Sequence, residues 1–154
     1  SLILDSTDGT ANAGDDLLLE AGDGLGTPNI TDVRFITSAP AGGSSKTVTV
    51  EVTWDEGITV AGSPQVTVAN NNAGSGSGRA CVLTYTAVGS SANRKRFSAT
   101  NITVAEDDVL SVGAATGSLG LNSGTLSDTE MGGTTVPAFV SLTDTTAVTQ
   151  TVTG

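Results

Sequence analysis

The chain has 154 residues, sixteen acidic against six basic, giving a formal net charge of −10, with no histidine and a single cysteine. That balance argues against nucleic-acid and anionic-membrane partners, because phosphate binding needs a basic face. The lack of histidine removes Ser-His-Asp and Cys-His catalysis and the usual zinc sites, and lone Cys81 leaves the fold without an internal disulfide.

In chain order, residues 1–28 form a Gly- and Asp-rich arm carrying Asp5, Asp8, Asp15, Asp16, Glu20 and Asp23 with no base. Its start, Ser1-Leu2-Ile3-Leu4-Asp5, lacks the basic region of a secretory signal. Its apolar cluster Leu17-Leu18-Leu19 is flanked by turn formers. No stretch reaches the ~18 apolar residues of a membrane span. Residues 29–142 read as a β body. Val48, Val50, Val52 and Trp54 alternate with Thr47, Thr49, Glu51 and Thr53, the period-2 signature of a half-buried strand. Ile58 and Val60 repeat it; Gly62-Ser63-Pro64 turns the chain, and Val66 and Val68 resume. Cys81, Leu83 and Tyr85 share a face, and Phe97 begins a return strand after Gly89–Asn93. Ile102 and Val104, Val109 to Val112, Leu119 and Leu121, and Val136 to Leu142 continue the series. Turn signals every 8–12 residues predict a sandwich or barrel of eight or nine short strands. Only Glu106-Asp107-Asp108 offers a helical turn. Residues 143–154, rich in Thr and Val, read as an extended tail.

The segment Val48 to about Ala138 resembles bacterial Ig-like repeats of adhesin-type surface proteins. The resemblance rests on Val48–Glu56, on Ile58-Thr59-Val60-Ala61-Gly62-Ser63-Pro64-Gln65-Val66, on Leu83-Thr84-Tyr85 with Arg96-Phe97-Ser98, on the acidic step Glu106-Asp107-Asp108, and on Leu119-Gly120-Leu121-Asn122-Ser123-Gly124. It implies an all-β, immunoglobulin-like antiparallel β-sandwich with an extended N-terminal arm and C-terminal tail. The arm's Asp8-Gly9-Thr10 and Ala13-Gly14-Asp15-Asp16-Leu17-Leu18-Leu19-Glu20 resemble segments of tailed-phage virion proteins. Together they imply a non-enzymatic virion structural protein, a capsid decoration or cement protein made in the host cytoplasm and placed on the capsid surface. Its partners would be the major capsid protein and further copies of itself, a trimer being one closed form. The alternatives are a phage tail or fibre component, or a calcium-dependent adhesion module of a bacterial surface protein.

Candidate sites are few. The run Asn70–Gly78 lacks the Gly-Lys-Ser/Thr of a phosphate loop and reads as a hairpin tip. A paired-carboxylate glycosidase would need acids converging in a cleft, whereas these lie in turns and tails. No cofactor is expected, with calcium the one open question. Asp5, Asp8, Asp15 and Asp16, Asp55 with Glu56, and Glu106, Asp107 and Asp108 read either as ligands of this hard cation or as solvated acidic turns. Arg94-Lys95-Arg96 reads either as a docking patch for an acidic partner, including a neighbour's arm, or as a solubilising loop. Leu17, Leu18 and Leu19 would plug an apolar groove on a partner, and the arms would attach by strand addition. Trp54, Tyr85 and Phe97 read as core anchors and Cys81 as a small buried hydrophobe.

Overall fold

In the computed structural model the alternating Val48–Trp54 run lies in the longest of the strands. The structure describes residues 26–36, 41–74, 79–113, 118–129, 135–138, 140–142 and 147–154. Among them every regular element is a strand. These are β1 (Ile30–Phe35), β2 (Gly43–Trp54), β3 (Thr59–Ala61), β4 (Gln65–Asn70), β5 (Cys81–Thr86), β6 (Arg94–Val104), β7 (Val109–Val112), β8 (Ser118–Gly120), β9 (Thr125–Thr129), β10 (Thr135–Pro137) and β11 (Val148–Thr151).

The larger sheet runs β1-β2-β6-β5-β4-β7-β11, with β8 beside β4; the smaller runs β10-β9-β3. Every pairing of named strands is antiparallel. Strands β1 and β11, the ends of the larger sheet, approach each other, so the sandwich curls toward a barrel and its edges are partly covered. Fold class is therefore settled as an all-β antiparallel sandwich.

Period-2 patterning sets the packing. Val48, Val50, Val52 and Trp54 of β2, Val66 and Val68 of β4, Cys81 and Leu83 of β5, and Phe97 of β6 all lie below 5% exposure in one apolar cluster. Tyr85 stands directly opposite Phe97 in the β5–β6 register, and the rings meet edge to face with centroids 6.2 Å apart. That geometry sets the positive edge of one ring against the negative face of the other. The turn after β3 needs glycine twice. Gly62 has φ +73°, and a Cβ there would lie 2.8 Å from Gly124 Cα. Gly124 in turn leaves its own Cβ position against the Ala61 carbonyl oxygen, 2.5 Å away.

Four expectations change. The described residues hold eleven strands where eight or nine were expected, because several are pieces of only three or four residues. The stretch 143–154 is not simply a tail beyond the body. Val148–Thr151 pairs with β7 of the same chain, and Val152 lies in the core at 1% exposure. Thr-Val alternation suits a sheet edge wherever one is open, and β7 offers one close by. The strand expected over Val136 to Leu142 ends at Pro137, although Ala138 N still donates to Leu126 O at 2.8 Å. The short helical turn at Glu106–Asp108 is a tight turn: Asp108 N donates to Ala105 O at 3.1 Å, and Asp107 sits at φ +69°.

Candidate functional site

Two buried carboxylates organise the polar chemistry. Asp108 follows the β6–β7 turn and is fully buried. Its Oδ1 accepts from Arg79 Nη2 at 2.5 Å and from the Gly74 amide at 3.0 Å. Its Oδ2 accepts from Arg79 Nε at 2.6 Å, Asn70 Nδ2 at 2.9 Å and the Ala105 amide at 3.0 Å. Five donors thus fill one carboxylate, and the Arg79 fork is the fixed, bidentate kind. The bonds from Arg79 outweigh the cost of burial and, with the amide and Asn70 donors, hold the Asp108 carboxyl well below its usual range.

The segments gathered there are distant in sequence. Asn70 and Gly74 precede the run 75–78, which lies outside the described residues, and Arg79 follows it. Asn72 Oδ1 accepts from the Arg79 amide at 3.0 Å. The run read as a hairpin tip is therefore anchored at both shoulders. Gly74 is required by close approach: a Cβ would strike the Glu106 carbonyl oxygen and sit 2.6 Å from Ala105 Cβ. The C-terminal segment joins the same hub, with Val152 N donating to Asp108 O at 2.8 Å and Asp107 N to Val152 O at 3.1 Å.

Glu51 is the second. It stands on the outward face of β2, opposite Arg34 of β1 and Arg96 of β6. Arg34 donates through Nε at 3.1 Å and Nη2 at 2.7 Å to Oε1, and Arg96 Nε donates at 3.1 Å to Oε2. These two side chains cover the carboxylate to 2% exposure. Burial opposes its ionisation, but the two arginines prevail and lower its pKa. A glycosidase acid needs the opposite shift. The row continues with Thr49 Oγ1 sharing a 2.9 Å hydrogen bond with Ser98 Oγ.

The Arg94-Lys95-Arg96 patch is divided by strand alternation. Arg94 and Arg96 share the outward face with Glu51, while Lys95 turns to the buried face at 7% exposure. Its Nζ donates to Ser91 O at 2.7 Å, and burial lowers its pKa. Lys95 is thus no part of a surface patch. Arg34, which no sequence signal singled out, takes its place.

The calcium candidates are not brought together. Asp55 and Glu56 follow the end of β2, where Asp55 Oδ1 accepts from the Asn29 amide at 2.7 Å. Glu106, Asp107 and Asp108 lie past the end of β6, beside the start of β2, a strand length away. Asp108 has both oxygens filled, so it does not suit a cation. Among the described residues no group of three or more His, Cys, Asp or Glu side chains is placed to hold a metal ion. Asp5, Asp8, Asp15, Asp16 and Leu17, Leu18 and Leu19 fall outside the described residues. Cys81 is buried, and burial pushes its thiol up to about 11.

These features define the chain as an antiparallel β-sandwich cross-linked by two arginine-neutralised carboxylates. Comparison with family models, curated proteins and solved structures returns no match.

Proposed function

We propose that the chain is a non-catalytic structural module: an Ig-like sandwich that self-associates and braces a virion shell as a decoration or cement protein bound to the major capsid protein. The strand order supports the Ig-like part. If β1, β2, β3, β5, β6, β9 and β10 stand for strands A to G, then β1-β2-β6-β5 is A-B-E-D and β10-β9-β3 is G-F-C, the two sheets of an immunoglobulin constant-type domain. Strands β4, β7, β8 and β11 are additions. Trp54 departs from that pattern, since it ends the second strand instead of standing on the third.

The observation that carries the reading is the saturation of Asp108 and Glu51. Each buried acid is spent on joining segments distant in sequence, Asp108 to Arg79 and Glu51 to Arg34 and Arg96. Such a body is stiffened internally, which suits bracing, where an assembly is stabilised by surface burial across its subunits.

Native mass spectrometry of the purified chain, with and without calcium, tests self-association. A discrete closed oligomer indifferent to calcium is expected. A monomer stabilised only by calcium would refute the reading in favour of an adhesion module. Immunogold labelling of virions with an antibody to the chain separates the shell from the tail, and label confined to the tail would overturn the capsid assignment.

A further inference from the structure

Six cations serve a chain of net charge −10, and the fold places them unequally. Arg79 is buried against Asp108, Lys95 turns inward, and Lys46 lies toward the opposite end of β2 from Arg94. The remaining three, Arg34, Arg94 and Arg96, converge on the outer face of β1, β2 and β6. Registers put Arg34 and Arg96 on either side of Glu51, with Arg94 opposite Thr53.

These guanidiniums are available. The Arg34 and Arg96 side chains are 51% and 32% exposed although both bond Glu51, and Arg94 is exposed. Arg34 and Arg94 rim a shallow depression of about 280 Å³, lined also by Asp32, Glu51, Thr53 and Asn93. Arg34, Arg94 and Arg96 stand here with Asp32 and Glu51, and Asp55 lies just past the end of β2, so half of the chain's six cations are concentrated on one face of an acidic molecule.

Its charge complement is in the same chain. Residues 1–25 hold six acids and no base. The chain enters the described body at Gly26, and Asn29 is tied to Asp55 just past the end of β2, the end that carries Arg94. The described chain therefore begins at the end of the body that carries the basic face.

We propose that this face receives the acidic segment, residues 1–25, of a second copy. Two copies brought together by this end satisfy each other reciprocally, the self-complementary arrangement of a two-fold contact. Twenty-five residues can span up to roughly 85 Å when extended, ample for the exchange. Arginine suits the role, since its planar fork accepts carboxylates in pairs. The inference rests on the self-association in the proposed function and names the surfaces that mediate it.

The test uses the full chain and a fluorescein-labelled synthetic peptide of residues 1–25, followed by anisotropy, with native mass measured on the same samples. The peptide should bind the wild-type chain, more weakly as salt rises. It should bind Arg94→Glu roughly tenfold more weakly, because attraction becomes repulsion at the rim. Lys46→Glu, remote from the face, should leave binding unchanged. Arg94→Glu should also dissociate the oligomer, and adding Asp15→Lys and Asp16→Lys to that variant should restore it. Equal binding to the wild type and Arg94→Glu would overturn the docking face. A closed oligomer unaffected by Arg94→Glu would overturn this contact while leaving self-association standing. A monomeric wild type would overturn the exchange, whether or not it binds the peptide.

Discussion

Replacing Asp108 with asparagine is the sharpest test of the hub, because it changes one oxygen to an amide and almost nothing in volume. Oδ1 faces two donors and Oδ2 faces three. Whichever position receives the new NH2 group, at least two donors lose their acceptor and meet another donor. The Arg79 side chain, only 9% exposed, then loses the charge of Asp108. Removing one partner of a buried ion pair costs about 3–5 kcal/mol. In a domain of this size each kcal/mol lowers Tm by roughly 2–4 °C, so Asp108→Asn should melt roughly 6–20 °C lower. The lone Trp54, fully buried, reports unfolding in urea directly. The midpoint should fall with an unchanged slope, as a loss of stability without a change in exposed area requires. Asp107→Asn is the control: Asp107 is exposed and sits at φ +69°, a conformation asparagine adopts readily. If Asp108→Asn costs less than about 1 kcal/mol, or no more than the Asp107 control, the reasoning that a saturated carboxylate cross-links this end of the sandwich fails.

Other outcomes follow from the same geometry. Both Asp108 and Glu51 have depressed folded-state pKa values. Their stabilisation is therefore complete above the unfolded carboxyl range near 4 and is lost as pH falls through the folded values. Tm should be flat above about pH 5 and decline below about 4; in Asp108→Asn the acid limb should lose up to about 1.4 kcal/mol per pH unit of slope. A melting curve that declined equally steeply in wild type and variant would remove Asp108 as a cause. Deleting 148–154 strips β11 from β7 and takes Val152 from the core, where burial alone is worth about 2 kcal/mol. The shortened chain should lose more than about 3 kcal/mol in urea unfolding, and undiminished stability would show that the segment is a dispensable tail. Cys81, buried with its thiol pushed up to about 11, should resist a thiol reagent such as DTNB at pH 8 in the folded chain and react at once in denaturant. Rapid modification of the native protein would contradict the packing of β5.

What the sequence disclosed was the part of the fold that repeats every second residue. Val48 to Trp54 and Cys81 to Tyr85 announce their buried faces because alternation is local and register-independent, and the turn glycines divide them. What it hid depends on register. Glu51 sits on the outward side of a strictly alternating strand, where solvent is the ordinary expectation. Only the pairing of β2 with both β1 and β6 places Arg34 and Arg96 across from it. The same holds for Asp108, one of three adjacent acids that read alike: φ +69° at Asp107 turns its two neighbours apart, so that one is fully buried against Arg79 and the other stays exposed. The basic triplet divides for a reason that was available, since a strand sends Lys95 to the face opposite its neighbours. A charge run in a strand should be read as two half-runs, each completed by the strand beside it. Arg34 completes one of them here, so the basic face is a property of three strands and of no single segment.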